Sequence, residues 1–166
     1  MSDPIWEIPF LGIVRCTITE TEWRWEQIRP DAKMPQFRAA DPLSALCIPS
    51  LRLDQPLHPD ELSLLDFIET QEITYPVSAS PFRQHVWEAM TTIPWGEFTT
   101  YGAIAEQIGV CRAYQAVGSA VGANPFPIKI PCHRVLPANG RLGHFALGVA
   151  WKASLLLWER RVLALR

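Results

Sequence analysis

No Cys-x-x-Cys pair occurs in the 166 residues: Cys16, Cys47, Cys111 and Cys132 stand 31, 64 and 21 apart. That spacing signals neither a disulfide framework nor a zinc site, and no metal or cofactor is expected. No apolar run reaches the roughly 18 to 20 residues of a membrane span. Met1-Ser2-Asp3-Pro4 has neither the basic start nor the apolar core of a signal peptide. These absences lead us to expect a cytoplasmic chain (nuclear if eukaryotic), with no membrane partner, in a reducing compartment where three of the four cysteines serve as inert packing. What is there is apolar: 48% hydrophobic residues and seven tryptophans against 19% charged residues describe a folded, globular protein.

Charge is unevenly spread. Residues 1–76 hold six Lys and Arg against thirteen Asp and Glu, and residues 77–166 hold nine against four. A basic second half beside an acidic first half offers one face to phosphate, although scattered solvated charge gives the same count.

The first half reads as a small mixed unit. Ile5 to Ile8, Leu11 to Ile18 and Trp23 to Ile28 alternate apolar and polar residues as short strands do. Pro30 to Pro42 is a polar connection, Ala45 to Ile48 a further strand, and Glu61 to Ile68 a helix, with His58 as a loop residue before it. Thr70 to Ser80 is the linker, dividing the chain into units at 1–76 and 77–166. Together these give an α+β class, a mixed β/α unit followed by a mainly helical one.

Ser80 as N-cap and Pro81 at the first helical position open a helix that buries Phe82, Val86, Ala89 and Met90 and turns His85 outward. Ile93-Pro94-Trp95-Gly96 ends it. Thr99 to Gly109 is a short helix capped by threonine and stopped by glycine. A second runs from Arg112 or Ala113 to Val121, so the pair has helix-turn-helix spacing. Ala113, Ala116, Gly118, Ser119, Ala120 and Gly122 leave it almost without side-chain bulk. Its backbone can therefore approach a nucleic-acid groove, or another helix.

Ile130-Pro131-Cys132-His133-Arg134-Val135 places a thiol beside an imidazole. A cysteine nucleophile needs a base or a positive neighbour, which His133 and Arg134 can supply. Neighbours on a strand point apart, so His133 reaches the sulfur through a turn or a water. Glu159 is the carboxylate expected to orient the imidazole. Taken alone, a Cys-His pair is more often a packed hydrophobe than a reactive site.

The runs PFRQHVWEAM, IPWGEFTTYGAIAEQIG and AVGSAVGANPFPIKIPCHRV, with the final LLLWE segment, resemble the O6-alkylguanine-DNA alkyltransferases over residues 81 to 160. The resemblance implies a ribonuclease H-like N-terminal unit and a monomer acting on double-stranded DNA through the minor groove. Cys132 would take the alkyl group from O6-alkylguanine in one irreversible turnover. His133 would take the thiol proton through water, Glu159 would hold His133, Tyr101 would donate to the departing guanine, and Asn124 would brace the turn before the active-site strand. Carbonyls of Cys132 and Val135 would meet the exocyclic amine, the backbone at Phe145 and Ala146 would meet O6, and Pro127 and Leu147 would wall the pocket. Arg112, Tyr114, Gln115, Ala116, Gly118, Ser119 and Arg134 would face DNA, with phosphate contacts from Arg83, Arg112, Lys129 or Arg141. The target base must leave the stack, at a cost of a few kcal/mol.

The sequence departs from that family where Gln115 replaces an inserting arginine, Phe145 a tyrosine, and Leu147 a glycine or bulky aromatic. The first predicts weaker DNA binding, and the last a pocket better suited to methyl than benzyl adducts. Two other classes stay open: a lesion-binding relative without transfer, which replaces the acceptor cysteine that stands here as Cys132, and a cysteine-dependent hydrolase or thiol-redox enzyme using Cys132, His133 and Glu159.

Overall fold

Alternation on the first strands decides how the chain begins to pack. In the computed structural model, which describes residues 3–9, 11–31, 36–46 and 55–165, β1 (Ile5–Ile8), β2 (Gly12–Ile18) and β3 (Trp23–Pro30) form an antiparallel sheet in that order. Successive side chains point to opposite faces, so Trp6, Ile8, Val14, Cys16, Trp23 and Trp25 are buried together. Gly12 sits at φ +88°, and a Cβ there would lie 2.1 Å from the Arg29 carbonyl oxygen, so only glycine lets β2 close on β3.

Helix α1 (Pro59–Thr70) covers the apolar face, with the Phe67 ring 4.9 Å from both Trp6 and Trp23. His58 is its N-cap: Nδ1 accepts from Asp60 N–H at 3.3 Å while Glu61 accepts the His58 N–H at 2.7 Å. This reciprocal box does with a histidine what Ser or Thr usually does, which explains why the sequence alone gave a loop there. Leu43–Leu46 is a 3₁₀ turn rather than the start of a strand, and Cys47 and Ile48 lie outside the described residues.

The second half follows its capping signals. Helix α2 (Pro81–Thr91) starts at Ser80, whose Oγ accepts from Arg83 N–H, and buries Val86, Trp87, Ala89 and Met90. Strand β4 (Thr99–Thr100) pairs in parallel with β5 (Val135–Leu136), Thr99 opposite Val135. That two-residue ladder sets the first turn of α3 (Tyr101–Gln107) beside the segment that follows Cys132. A turn through Gly109 and Arg112, both with positive φ, leads into α4 (Tyr114–Gly122). Helix α5 (Val149–Leu165) is buried on nearly every side, as its mostly apolar sequence requires.

The core is continuous across the chain. Trp23 donates its N–H to the Pro125 carbonyl at 2.7 Å, Trp25 Nε1 donates to the Pro127 carbonyl at 3.0 Å, and the Trp23 ring meets Phe126 edge-on. The N-terminal sheet thus grips the loop that runs into Cys132. Among the described residues no helix is long and apolar enough to cross a membrane.

Candidate active site

Pro131 follows Ile130, which makes an isolated bridge to Pro127, and Cys132–Arg134 winds into one 3₁₀ turn before β5. A turn rather than a strand lets consecutive side chains serve one site. Cys132, His133 and Arg134 are 6%, 0% and 5% exposed.

The Cys132 sulfur reaches a cavity of about 360 Å³ lined also by Tyr101, Gly118, Val121, His144, Phe145 and Ala146. Asn124 follows the end of α4 and does two things at once. Its Oδ1 accepts the Phe126 N–H at 2.9 Å, and its Nδ2 donates to the Ile130 carbonyl at 2.8 Å and to Cys132 Sγ at 3.1 Å. The same amide that fixes the turn thereby supplies a hydrogen bond that favours sulfur's anionic form. Burial still dominates and pushes the Cys132 thiol up, against the Asn124 bond and the nearby Lys152 charge. The resting group is a thiol, and reaction requires that its proton be taken.

His133 is suited to take it. Nε2 lies 2.5 Å from Glu159 Oε1, while Nδ1 is buried with no partner among the described residues. Burial lowers the imidazole's affinity for a proton, more than Glu159 restores it, so the ring rests neutral. With Glu159 ionised, Nε2 carries the hydrogen and Nδ1 presents a lone pair. Burial by itself would raise Glu159, but His133 and the Arg134 guanidinium hold it below the ordinary carboxylate range.

Arg134 corrects an expectation. It does not face DNA: Nε donates to both Glu159 oxygens at 3.0 Å, Nη2 to Oε1 at 2.8 Å, and Nη1 to the Ile93 carbonyl at 2.6 Å, with the guanidinium over the Trp95 ring. Nor is it a cation for the sulfur. That part falls to Lys152, which the sequence reading missed. It is fully buried on α5, donates to the Val135 carbonyl at 2.8 Å and the His144 carbonyl at 3.4 Å, and burial brings its pKa from 10.5 to about 8 despite the attraction of Cys132. A lysine seven residues before Glu159, on the same face of an otherwise apolar helix, was the available signal.

The remaining residues divide. Tyr101 is half-buried in the cavity wall, and burial followed by the Cys132 charge raises its pKa, so it keeps its proton. Gln115, Ala116 and Ser119 are exposed on one side of α4, with Arg112 and Tyr114 exposed before and at its start and Gly118 half-buried against Tyr101. Phe145 and Ala146 line the cavity as expected. Pro127 and Leu147 are not among the lining residues of this cavity: the Pro127 carbonyl accepts from Trp25, and Leu147 packs against the core. Val135 is buried in β5 with its carbonyl on Lys152 rather than among the cavity walls. Lys129 caps α1, donating to the Ile68 and Glu69 carbonyls at 2.6 and 3.3 Å, and is no phosphate ligand. Arg83 and Arg141 are exposed. Of the cysteines expected to pack, Cys16 does, its thiol pushed up to about 12 by burial and Asp3, but Cys111 is exposed.

A protein-family model described as the DNA-binding domain of 6-O-methylguanine DNA methyltransferase matches residues 81–161. A methylated-DNA–protein-cysteine methyltransferase from Mycolicibacterium paratuberculosis is 48% identical over 90 residues, which is 54% of each chain, so the match spans about half that relative's length. The crystal structure of Mycobacterium tuberculosis O6-methylguanine methyltransferase superposes with a TM-score of 0.58 at 30% identity, covering 95% of this chain and 92% of that one. The structure of Mycobacterium tuberculosis OGT in complex with DNA gives 0.58 at 28% identity over 95% of both.

Proposed function

This chain belongs to the methylated-DNA–protein-cysteine methyltransferase family, and on that premise we propose that it repairs O6-alkylguanine in DNA by moving the alkyl group to Cys132 in a single turnover. The observation that carries this reading is Cys132 lining a cavity of about 360 Å³, its Sγ hydrogen-bonded by Asn124, followed by a His133–Glu159 pair whose Nδ1 has no partner among the described residues.

The sequence of events follows from those groups. Nδ1 of His133 takes the thiol proton, directly or by way of water, and Glu159 stabilises the imidazolium that forms. Sγ attacks the alkyl carbon in line, a C–S bond forms as the C–O6 bond breaks, and the electron pair passes to the purine. Tyr101 donates its hydroxyl proton to the ring, the developing phenolate recovering one from the imidazolium through solvent. Lys152 and the Asn124 amide lower the cost of the thiolate in a site that otherwise opposes charge. The thioether has no leaving path, so the protein is consumed.

The partner is double-stranded DNA, approached by α3 and α4 as a helix-turn-helix with the exposed side of α4 in the minor groove. There Arg112, Tyr114, Gln115, Ala116, Gly118 and Ser119 meet the duplex while the lesion turns into the cavity. Arg83, Arg112 and Arg141 supply the salt-dependent part of binding. The chain acts as a cytoplasmic monomer, its N-terminal unit (1–76) a ribonuclease H-like support for the reactive unit (77–166).

Intact mass after mixing with a duplex containing O6-methylguanine tests this. The expected result is a gain of one CH₂ per chain, absent from Cys132→Ala. Tight lesion binding with no gain would favour a non-transferring lesion binder, and repeated turnover a hydrolase.

A further inference from the structure

The residues on either side of Glu159 are tied to a carboxylate a hundred positions away. Trp158 Nε1 donates to Glu61 Oε1 at 3.1 Å, Arg161 Nε to the same oxygen at 3.3 Å, and Arg161 Nη2 to Oε2 at 3.4 Å. Arg161 Nη2 also donates to the Pro56 carbonyl at 3.0 Å. Glu61 is 0% exposed, although it stands in the first turn of α1, where a capping carboxylate normally faces water.

Capping α1 requires only the His58 N–H, and holding α1 against α5 could be done by apolar side chains at lower cost than a buried ion pair. What a carboxylate adds is direction. It fixes the rotation of α5 at two points that bracket Glu159. A second route joins the same residues through side chains: the Trp158 ring meets Trp95 edge-on at 5.8 Å, Trp95 lies 4.8 Å under the Arg134 guanidinium, and Arg134 grips Glu159. A cavity of about 980 Å³, lined by Ile8, Arg29 and Leu57 among others, borders Glu61 and Arg161. With Glu61 removed, Arg161 and Trp158 lose the shared acceptor that fixes their direction beside this cavity.

We infer that Glu61 is a positioning residue for the alkyl transfer: through Trp158, Arg161 and the Trp95–Arg134 stack it sets Glu159 against His133. The N-terminal half then tunes the reactive cysteine as well as supporting it. This rests on the reading above that Cys132 accepts the alkyl group.

The test uses the full chain and two variants. Glu61→Gln keeps an acceptor for Trp158 but loses the ion pair, and the double variant Glu61→Met/Arg161→Met replaces the pair with apolar packing. Two rates are read: single-turnover methyl transfer from an O6-methylguanine duplex, and iodoacetamide alkylation of Cys132 across pH, followed at the Cys132 peptide by mass spectrometry. We expect transfer to slow about tenfold in both variants. The pH inflection of Cys132 alkylation should move upward in both, even where the double variant recovers the melting temperature. The final mass gain of one CH₂ should persist. Wild-type rates and pH profile in the double variant, or in a folded Glu61→Gln, would reduce Glu61 to a structural contact and overturn the inference. Absence of any methyl gain in the wild-type chain would defeat the transfer reading instead, and the iodoacetamide profile would still decide the role of Glu61.

Discussion

His133 Nε2 and Glu159 Oε1 lie 2.5 Å apart where neither side chain meets solvent, while the opposite ring nitrogen has no partner among the described residues. One nitrogen is committed to orientation and the other is kept for the proton.

Glu159→Gln keeps an oxygen for the imidazole but removes the charge that stabilises the imidazolium, and leaves Arg134 charged and buried without its counter-ion. We expect methyl transfer to fall by about a hundredfold or more and stability by roughly 3–5 kcal/mol. Urea unfolding and single-turnover kinetics measure the two effects. A rate within twofold of wild type would remove Glu159 from the mechanism.

Asn124 both accepts and donates. In Asn124→Asp, Oδ1 still accepts the Phe126 N–H, but a carboxylate oxygen replaces the donor to both Cys132 Sγ and the Ile130 carbonyl. Asn124→Ala loses both, with a stability cost of about 1–3 kcal/mol from the unsatisfied groups. Iodoacetamide reactivity at Cys132 should collapse and the melting temperature should fall in both variants, the aspartate keeping the Phe126 contact but facing the Ile130 carbonyl with no hydrogen to donate.

Lys152 gives a pH signature. Its folded pKa is about 8 against an ordinary 10.5, so between those values the unfolded chain binds more protons and stability rises with pH. The penalty is complete below about pH 8 and is relieved toward 10.5, amounting to about 3 kcal/mol. Lys152→Met should lack this rise, and the stability difference between variant and wild type should shift by most of that amount from pH 7 to pH 10. The same variant should transfer methyl more slowly, since Cys132 loses its cation.

Gln115 is exposed on α4 without charge. Gln115→Arg should tighten binding to a lesion-containing duplex and steepen its salt dependence by about one unit in the log–log slope. A binding titration at several salt concentrations checks both, and unchanged or poorer affinity counts against Gln115 facing the duplex.

Local signals were readable from the chain and long-range ones were not. Ser80-Pro81 and Thr100 set the starts of α2 and α3 because caps act within a few residues, and the Pro-Cys-His run marked the turn that carries the proposed nucleophile and base. Arg134 was misplaced because its role depends on Glu159, 25 residues on, which a turn cannot reveal. Lys129 and Arg161 were likewise counted as surface charge, yet one caps α1 and the other pairs with Glu61. A basic composition therefore overstated the positive surface of the second half. His58 as a cap and Lys152 beside the sulfur were missed for the opposite reason: each is an uncommon residue for its task, and only packing shows why it serves.

Trp23 and Trp25 hook their N–H groups onto the carbonyls of Pro125 and Pro127, with Asn124 next in line. Cutting the chain within residues 71–80 would therefore bare two indoles and the Phe126 ring, and would unfasten the asparagine from behind. The excised reactive half should be sticky and sluggish, and adding back the other half as a separate polypeptide should rescue it.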